Sequence, residues 1–146
     1  MVENGTPKIV AATNTSYPQW YSGPLQSIAD TDKVRGDLAL EFFGQCQKRK
    51  IPVVTVDSQS AGTFIEAVSI FRNVKLLVRP NYKRSPSRRL AIKEVSKIPQ
   101  IKYIILTEPE KVSLITDCLD LIEQHLLKNN FDLKNIQALF QNDILS

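Results

Sequence analysis

The stretch IKYIILTEPEK, residues 101–111, places two glutamates, Glu108 and Glu110, directly after an apolar run. The run at 101–106 is short and rich in isoleucine, which is typical of a strand buried on both faces. Four runs of this kind occur in the sequence, and each predicts one short strand. The other three runs precede it in the chain, at 8–12, 51–56 and 74–78.

Helical patterns lie between these runs. The segment at 33–50 carries apolar residues at helical spacing, namely Val34, Leu38, Ala39, Phe42, Phe43 and Cys46. Because strand and helix alternate four times, we predict an α/β fold: a three-layer, Rossmann-like, mainly parallel sheet of about four strands. The remaining helical patterns lie at 63–71, 87–97 and 112–127, with one more around 136–140.

Length and composition indicate one globular domain. The chain has 146 residues, of which 42% are hydrophobic and 23% charged, so a single core over 1–146 is expected, with 131–146 as a C-terminal tail. A net charge of +4 favours anionic ligands only weakly, and it does not predict a specific nucleic-acid partner.

Cysteine usage and hydropathy predict a cytoplasmic protein. Cys46 and Cys118 lie far apart in helical patterns, without the spacing of a metal site or of a secreted disulfide framework. No apolar run approaches the roughly 20 residues of a membrane span. The N-terminal MVENGTPK lacks the basic-then-apolar order of a signal peptide.

Ligands of parallel α/β sheets bind outside the carboxyl ends of the strands, so the loops after the four strands are the candidate site. The first, at 13–30, offers hydroxyls, an amide and aromatic rings that could hold a base or sugar, or could pack as a lid. The second begins with Asp57, whose carboxylate could accept hydrogen bonds from a base or a ribose. Asp57 could equally start a turn or cap the next helix.

The third loop, RPNYKRSPSRRLAI at 79–92, is strongly basic. Ser87 is expected to cap the helix that follows, and a helix start among basic side chains is a ready anion site. The alternative is a solvated charged face. Neither a Walker lysine motif nor GxGxxG is present. The basic side chains are Arg79, Lys83, Arg84, Arg88 and Arg89.

The fourth loop carries Glu108 and Glu110, and two interpretations of it remain open. Residues two apart in an extended segment point the same way, so both carboxylates could hold a hard cation such as Mg²⁺ or Mn²⁺. Alternatively Thr107 caps a helix, Pro109 fills its first turn and Glu110 completes a capping box.

Taken in order, these motifs resemble the nucleotide-binding half of GT-A-type, nucleotide-diphospho-sugar glycosyltransferases. The resemblance covers residues 8–111 and rests on four segments. They are IVAATNTSY, VVTVDSQSAGT, SPSRRLAIKEV and YIILTEPEK.

The resemblance implies a nucleotide-diphospho-sugar ligand and a divalent cation, Mn²⁺ or Mg²⁺. It implies that Thr13, Asp57 and Arg88 contact the nucleotide, and that Glu108 and Glu110 bind the metal. The family's acceptor-binding half has no counterpart in the remaining residues, so no catalytic residue is predicted. A protein incomplete or inactive alone is therefore expected.

Two other hypotheses come from different classes. The first is a non-catalytic Rossmann-like module that binds a nucleotide or phosphate through the basic loop, without metal. The second is an assembly protein, in which the helices at 112–127 and 136–140 form a homo-oligomer surface.

Overall fold

The four predicted strands form one parallel sheet in a computed structural model that describes residues 9–81 and 83–129. The predicted tail at 131–146, with its helix at 136–140, lies outside the described residues. The strands are β1 (Ile9–Thr15), β2 (Val53–Asp57), β3 (Val74–Val78) and β4 (Tyr103–Leu106). The helices are α1 (Thr31–Lys48), α2 (Gly62–Val68), α3 (Arg84–Val95), α4 (Val112–Thr116) and α5 (Leu119–Asn129).

The strand order is β3-β2-β1-β4, with every neighbouring pair parallel. The register pairs Thr15 of β1 with Asp57 of β2, and Ala12 of β1 with Leu106 of β4. The central strand β1 therefore has hydrogen-bonded neighbours on both sides. This confirms the predicted α/β class with a parallel sheet of four strands.

Each face of the sheet has its own core. Residues of β1 alternate between the two faces, as a strand's period of two requires. Ile9 and Ala11 pack with Phe42 of α1 and with aromatic and aliphatic side chains of α2 and α4. Val10 and Ala12 pack instead under α3. The sheet is therefore a middle layer between α3 and the other helices.

The buried stripe of α1 differs from the predicted one at its start. The predicted Ala39, Phe42, Phe43 and Cys46 are fully buried, whereas Leu38 is 36% exposed. Upstream of Ala39 the buried positions include Gly36, and the indole of Trp20 from the preceding loop lies directly over it. The loop at 16–30 thus covers the start of α1, so Gly36 is buried there and Leu38 is partly exposed.

The predicted helices have slightly different bounds in the structure, and two of these differences change how a helix begins or continues. The helix predicted at 87–97 begins three residues earlier, at Arg84, so Ser87 lies inside α3 and does not cap it. The single helix predicted at 112–127 is broken between α4 and α5. At the break, the N–H groups of Asp117 and Cys118 both donate to the carbonyl of Ser113, which widens the turn there.

Despite the break, apolar residues at helical spacing in this region are buried. Ile115, Leu119 and Leu126 are each at most 4% exposed. Among the described helices, none combines the length and apolarity that crossing a membrane requires.

Candidate functional site

A cleft of about 480 Å³ opens at the carboxyl ends of β1 and β4. Five chain segments meet there. Three supply most of the lining, namely the end of β1 with the residues after it, the start of α3 and the residues after β4, and α1 and the residues after β2 supply one residue each. Its lining is mostly polar and carries both charge signs. The lining residues are Asn14, Ser16, Tyr17, Arg35, Ser58, Lys83, Arg84, Ser87, Glu108, Pro109 and Glu110.

The strand order explains why the cleft is at this place. From β1 the chain proceeds to β2 and β3 on one side, and then crosses back to add β4 on the other side. The loops leaving β1 and β4 lead to α1 and α4 on one face, whereas α3 reaches β4 across the other face, so the cleft lies between these two loops and the start of α3. Such a reversal of strand order is where ligands of open α/β sheets bind.

Glu108 stands at the mouth of the cleft, in the loop after β4. Its Oε1 accepts a hydrogen bond from Arg84 Nη2 of α3 at 2.9 Å. Both side chains are open to solvent, 60% exposed for Arg84 and 39% for Glu108. An ion pair this exposed contributes little stability and rearranges easily.

Glu110 lies deeper and is held more firmly. Its Oε1 accepts a hydrogen bond from Arg35 Nε of α1 at 2.6 Å, and its side chain is 14% exposed. The Arg35 guanidinium carbon also lies 5.5 Å from the centre of the Tyr17 ring. Glu110, Arg35 and Tyr17 therefore form one compact group on the α1 side of the cleft.

Tyr17 is a phenol in a low-dielectric, negatively charged environment. It is only 1% exposed, and its ring packs edge-on against Phe64 of α2. Burial, and secondly the negative charge of Glu110, raise the pKa of the Tyr17 hydroxyl well above its ordinary value. Tyr17 therefore stays protonated at physiological pH, and its hydroxyl can donate a hydrogen bond to Glu110.

The capping-box interpretation of the acidic loop is wrong. Helix α4 begins at Val112 with Lys111 at its N-cap, and no side chain caps it. Glu108 and Glu110 instead lie in a turn before the helix, where the Lys111 N–H donates to the Glu108 carbonyl. The Thr107 hydroxyl donates to the same carbonyl. Neither carboxylate caps α4, and both line the cleft.

The opposite wall is the first turn of α3, with Lys83, Arg84 and Ser87. The Ser87 hydroxyl is buried, and it has no hydrogen-bond partner among the described residues. A buried hydroxyl without a partner costs free energy, so a water or ligand oxygen bonded to it would offset that cost. The free N–H groups and positive dipole end of α3 favour an anion beside it.

Asp57 does start a turn, as one of its two interpretations predicts. Its Oδ2 accepts a hydrogen bond from the Thr15 hydroxyl at 2.7 Å, and its Oδ1 accepts one from the Ser60 N–H at 3.0 Å. It is 1% exposed and lies outside the cleft lining. The Ser60 hydroxyl in turn accepts the N–H of Tyr17 at 2.9 Å. Asp57 therefore supports the cleft from below.

Thr13 and Arg88 also lie outside the lining that the described residues form. Thr13 is fully buried within β1, and its hydroxyl has no partner in the described part of the chain. Arg88 is half-buried on α3, one residue past Ser87. Of the predicted site residues, the structure thus brings Glu108 and Glu110 together in the cleft, and leaves Thr13, Asp57 and Arg88 outside its lining.

Sequence reasoning missed the residues that pair with the glutamates. Lys83 and Arg84 belong to the basic run, but the predicted helix start at 87 left them outside the helix that carries them to the cleft. Tyr17 was one of several aromatics in the first loop. Arg35 had no distinguishing signal, because a lone arginine on a helix surface is ordinary.

The glutamates suit a divalent cation only in combination with a ligand. Carboxylate oxygens are the donors that Mg²⁺ and Mn²⁺ prefer. Within the described ranges no group of three or more metal-ligating side chains exists, so the described residues supply at most this pair. Mg²⁺ commonly binds one or two carboxylates and completes its shell with phosphate oxygens and water. The donor set therefore fits a cation that arrives with a phosphate ligand.

The chain matches no protein-family profile, no curated protein and no solved structure.

Proposed function

We propose that the chain binds a nucleotide-diphospho-sugar together with a divalent cation in the cleft between β1 and β4. The diphosphate lies between the first turn of α3 and the acidic loop, and the nucleoside and sugar extend along the residues after β1. This is the ligand class that the resemblance to GT-A glycosyltransferases implies. We assign no catalytic residue, so the proposal concerns binding and leaves glycosyl transfer open to a direct assay.

The observation that carries the proposal is the meeting of opposite charges in one polar cleft. Lys83 and Arg84 supply two cations beside the unpartnered Ser87 hydroxyl, and Glu108 and Glu110 face them. A diphosphate needs donors and cations, whereas a divalent ion needs carboxylates. A ligand that contains both a diphosphate and a metal ion uses every one of these groups.

Each part of the cleft has a role in this proposal. Arg84 takes the position that the resemblance gives to Arg88, because it is the arginine of α3 that lines the cleft. Tyr17 holds the Glu110 carboxylate on the α1 side of the cleft, beside Arg35. A bound cation would supply positive charge to offset the diphosphate and any charge that develops on a departing nucleoside diphosphate.

The test is calorimetric titration of the protein with UDP, GDP, ADP and CDP and with their sugars, each with Mn²⁺ and with EDTA. We expect at least one nucleoside diphosphate to bind, and to bind more tightly with Mn²⁺. If no member of the panel binds under either condition, the proposal fails.

Two substitutions on one helix provide a matched comparison. Arg84→Ala removes a cation from the cleft and should weaken the nucleotide about tenfold or more, since hydrogen bonds to charged groups contribute about 1.5–3 kcal/mol. Arg89→Ala removes the same charge from an exposed position of α3 outside the cleft lining, and should change the affinity little. Equal losses of nucleotide affinity in the two variants would indicate that the ligand is attracted by the overall positive charge of α3 and does not contact Arg84.

A second candidate function is a metal-independent phosphate or nucleotide module. One observation favours it: both glutamates already have arginine partners, so neither requires a cation. In that case Ser87→Ala weakens binding in EDTA, and Glu108→Gln leaves it unchanged with or without Mn²⁺. Under the first proposal, Glu108→Gln abolishes the gain that Mn²⁺ provides.

We also propose a reducing, cytoplasmic compartment. The support is that Cys46 and Cys118 are both free thiols, and Cys46 is fully buried in the core. Export through an oxidising compartment would expose unfolded chains to disulfide formation. Labelling of both thiols in protein unfolded directly from cells, without reductant, tests this.

A further inference from the structure

The two glutamates of the cleft are held unequally. Glu110 is 14% exposed, bound to Arg35 at 2.6 Å and close to the buried Tyr17. Glu108 is 39% exposed, and its partner Arg84 is 60% exposed. Because a solvated pair exchanges partners at little cost, Glu108 is the carboxylate that can change its charge partner.

Arg84 has a second place to go. It lies three residues before Ser87 on α3, and residues at this spacing share one face of a helix. The Ser87 hydroxyl is 1% exposed, unpartnered within the described residues, and part of the cleft wall. An oxyanion bonded to this hydroxyl would therefore lie within reach of the long Arg84 side chain.

The charges favour a transfer when an oxyanion arrives. Arginine binds phosphate oxygens through two parallel N–H donors, which is stronger than the single contact between Arg84 Nη2 and Glu108. Once Arg84 turns to the anion, the Glu108 carboxylate has lost its cation. Two carboxylates, one of them uncompensated, and a phosphate oxygen then surround one space, which is a favourable site for a divalent ion.

We propose that Arg84 closes the cation site of the free protein by pairing with Glu108, and that an oxyanion bound at Ser87 opens it by drawing Arg84 away. The anion and the cation then bind with positive coupling, and each raises the affinity of the protein for the other. Glu110 stays paired with Arg35 throughout and is the fixed wall of the site. This inference deepens the proposed function and rests on the same cleft.

The first experiment uses Mn²⁺ alone. Free Mn²⁺ is followed by electron paramagnetic resonance while it is titrated into the full chain in a buffer without oxyanions. Arg84→Ala should bind Mn²⁺ about two- to fivefold more tightly than the wild type, which is the range that an exposed ion pair supports. The substitution thus improves cation binding while it weakens nucleotide binding.

Lys83→Ala is the matched control for charge. Lys83 lines the same cleft and makes no ion pair among the described residues, so its removal deletes an equal charge without unmasking Glu108. Its gain in Mn²⁺ affinity should be clearly smaller than that of Arg84→Ala. Equal gains in the two variants, or no gain in either, overturn the inference.

A double-variant cycle tests whether the gain passes through Glu108. In the Glu108→Gln background, Arg84→Ala should no longer raise the Mn²⁺ affinity, because no carboxylate remains for Arg84 to mask. A gain that persists in this background overturns the inference. Circular dichroism of each variant establishes that it is folded before the comparison.

The coupling itself is measured with sulfate, which has the oxyanion geometry of phosphate and does not precipitate Mn²⁺. Sulfate should raise the Mn²⁺ affinity of the wild type, and should leave that of Arg84→Ala and Ser87→Ala unchanged, after correction by a protein-free blank. Identical sulfate effects in all three proteins overturn the inference. Failure of the nucleotide panel would leave these Mn²⁺ measurements interpretable, so the two proposals fail separately.

Discussion

At the scale of single residues, Asp57 shows how a side chain can serve a cleft without entering it. Its carboxylate holds Thr15 and the backbone of Ser60, and the Ser60 hydroxyl holds the backbone of Tyr17. Tyr17 then lines the cleft beside Glu110. A change at Asp57 therefore reaches the cleft through two hydrogen bonds and a turn.

We expect Asp57→Ala to lower the free energy of unfolding by about 2–3 kcal/mol, because it leaves two buried groups, Thr15 Oγ1 and the Ser60 N–H, without their partner. Asp57→Asn is the control, because an amide can accept from Ser60 and donate to the Thr15 hydroxyl. Its loss should be about 1 kcal/mol or less. Urea unfolding measures both, and equal losses would mean that the negative charge matters more than the hydrogen bonds.

Cys46 predicts a pH dependence of stability. Burial raises the pKa of its thiol to about 12, whereas an unfolded thiol ionises near about 8.5. The folded state therefore keeps a proton that the unfolded state loses, and the stability that this proton provides is lost as the pH rises above about 8.5. Between pH 8 and 9.5 the free energy of unfolding should fall by about 1 kcal/mol. In Cys46→Ala this fall of the free energy of unfolding with pH should be absent. If the fall remains, another titratable group causes it.

At the scale of elements, the start of α1 depends on the loop that precedes it. Trp20 lies over Gly36, its Nε1 donates to Asp37 at 3.0 Å, and its ring packs edge-on against Phe64. The Lys33 ammonium, whose side chain is only 2% exposed, lies 4.8 Å from the Trp20 ring and pairs with Asp37. This cluster fastens the loop at 16–30 to the helix that carries Arg35.

Two glycines of α1 should respond oppositely to alanine. A Cβ at Gly36 would lie 2.3 Å from Trp20 Cδ1, so Gly36→Ala must displace the indole and should cost about 1–3 kcal/mol. A Cβ at Gly44 would lie 3.5 Å from Phe71, an ordinary contact, so Gly44→Ala should stabilise the helix by about 0.5–1 kcal/mol. Thermal unfolding of both variants tests the pair. A neutral Gly36→Ala would show that Trp20 moves aside freely.

At the scale of the whole molecule, the strand order assembles the cleft. The residues after β1, those after β4 and the first turn of α3 are separated along the chain by dozens of residues. They meet because β4 lies on the side of β1 opposite to β2 and β3. A ligand that fills the cleft therefore touches all three segments at once.

Hydrogen exchange with the tightest-binding nucleotide and Mn²⁺ should show this. We expect simultaneous protection at 14–17, 83–87 and 107–111, because one ligand covers all three segments. The loops at the amino ends of strands, 49–52 and 70–73, should exchange unchanged, since they lie at the opposite edge of the sheet. Protection confined to one of the three segments would contradict a shared site.

The success of the sequence predictions followed the strength of the local signal. Four apolar runs and the helical spacing between them predicted every strand and most helices, because burial on both faces requires continuous Val and Ile runs. Helix caps were predicted less well. Ser87 does not cap α3, which begins three residues earlier, and Thr107 does not cap α4, which begins at Val112 where the helical spacing predicts it.

The candidate site was only partly predictable. Glu108 and Glu110 follow a strand directly, so the rule that ligands bind at strand carboxyl ends found them. Their partners are arginines from distant parts of the chain. Arg35 lies 75 positions from Glu110, and Arg84 lies 24 positions from Glu108. No local pattern encodes such a pairing.

The sequence by itself determined the class of fold, the four strands and the acidic pair after the last of them. These properties depend on the hydrophobic period of short segments and on the residue types at their ends. The tertiary structure alone decided that β4 returns to the far side of β1, that Asp57 supports the cleft from below, and that each glutamate has an arginine partner. Those features depend on which distant segments pack together, and packing is a property of the whole chain in three dimensions.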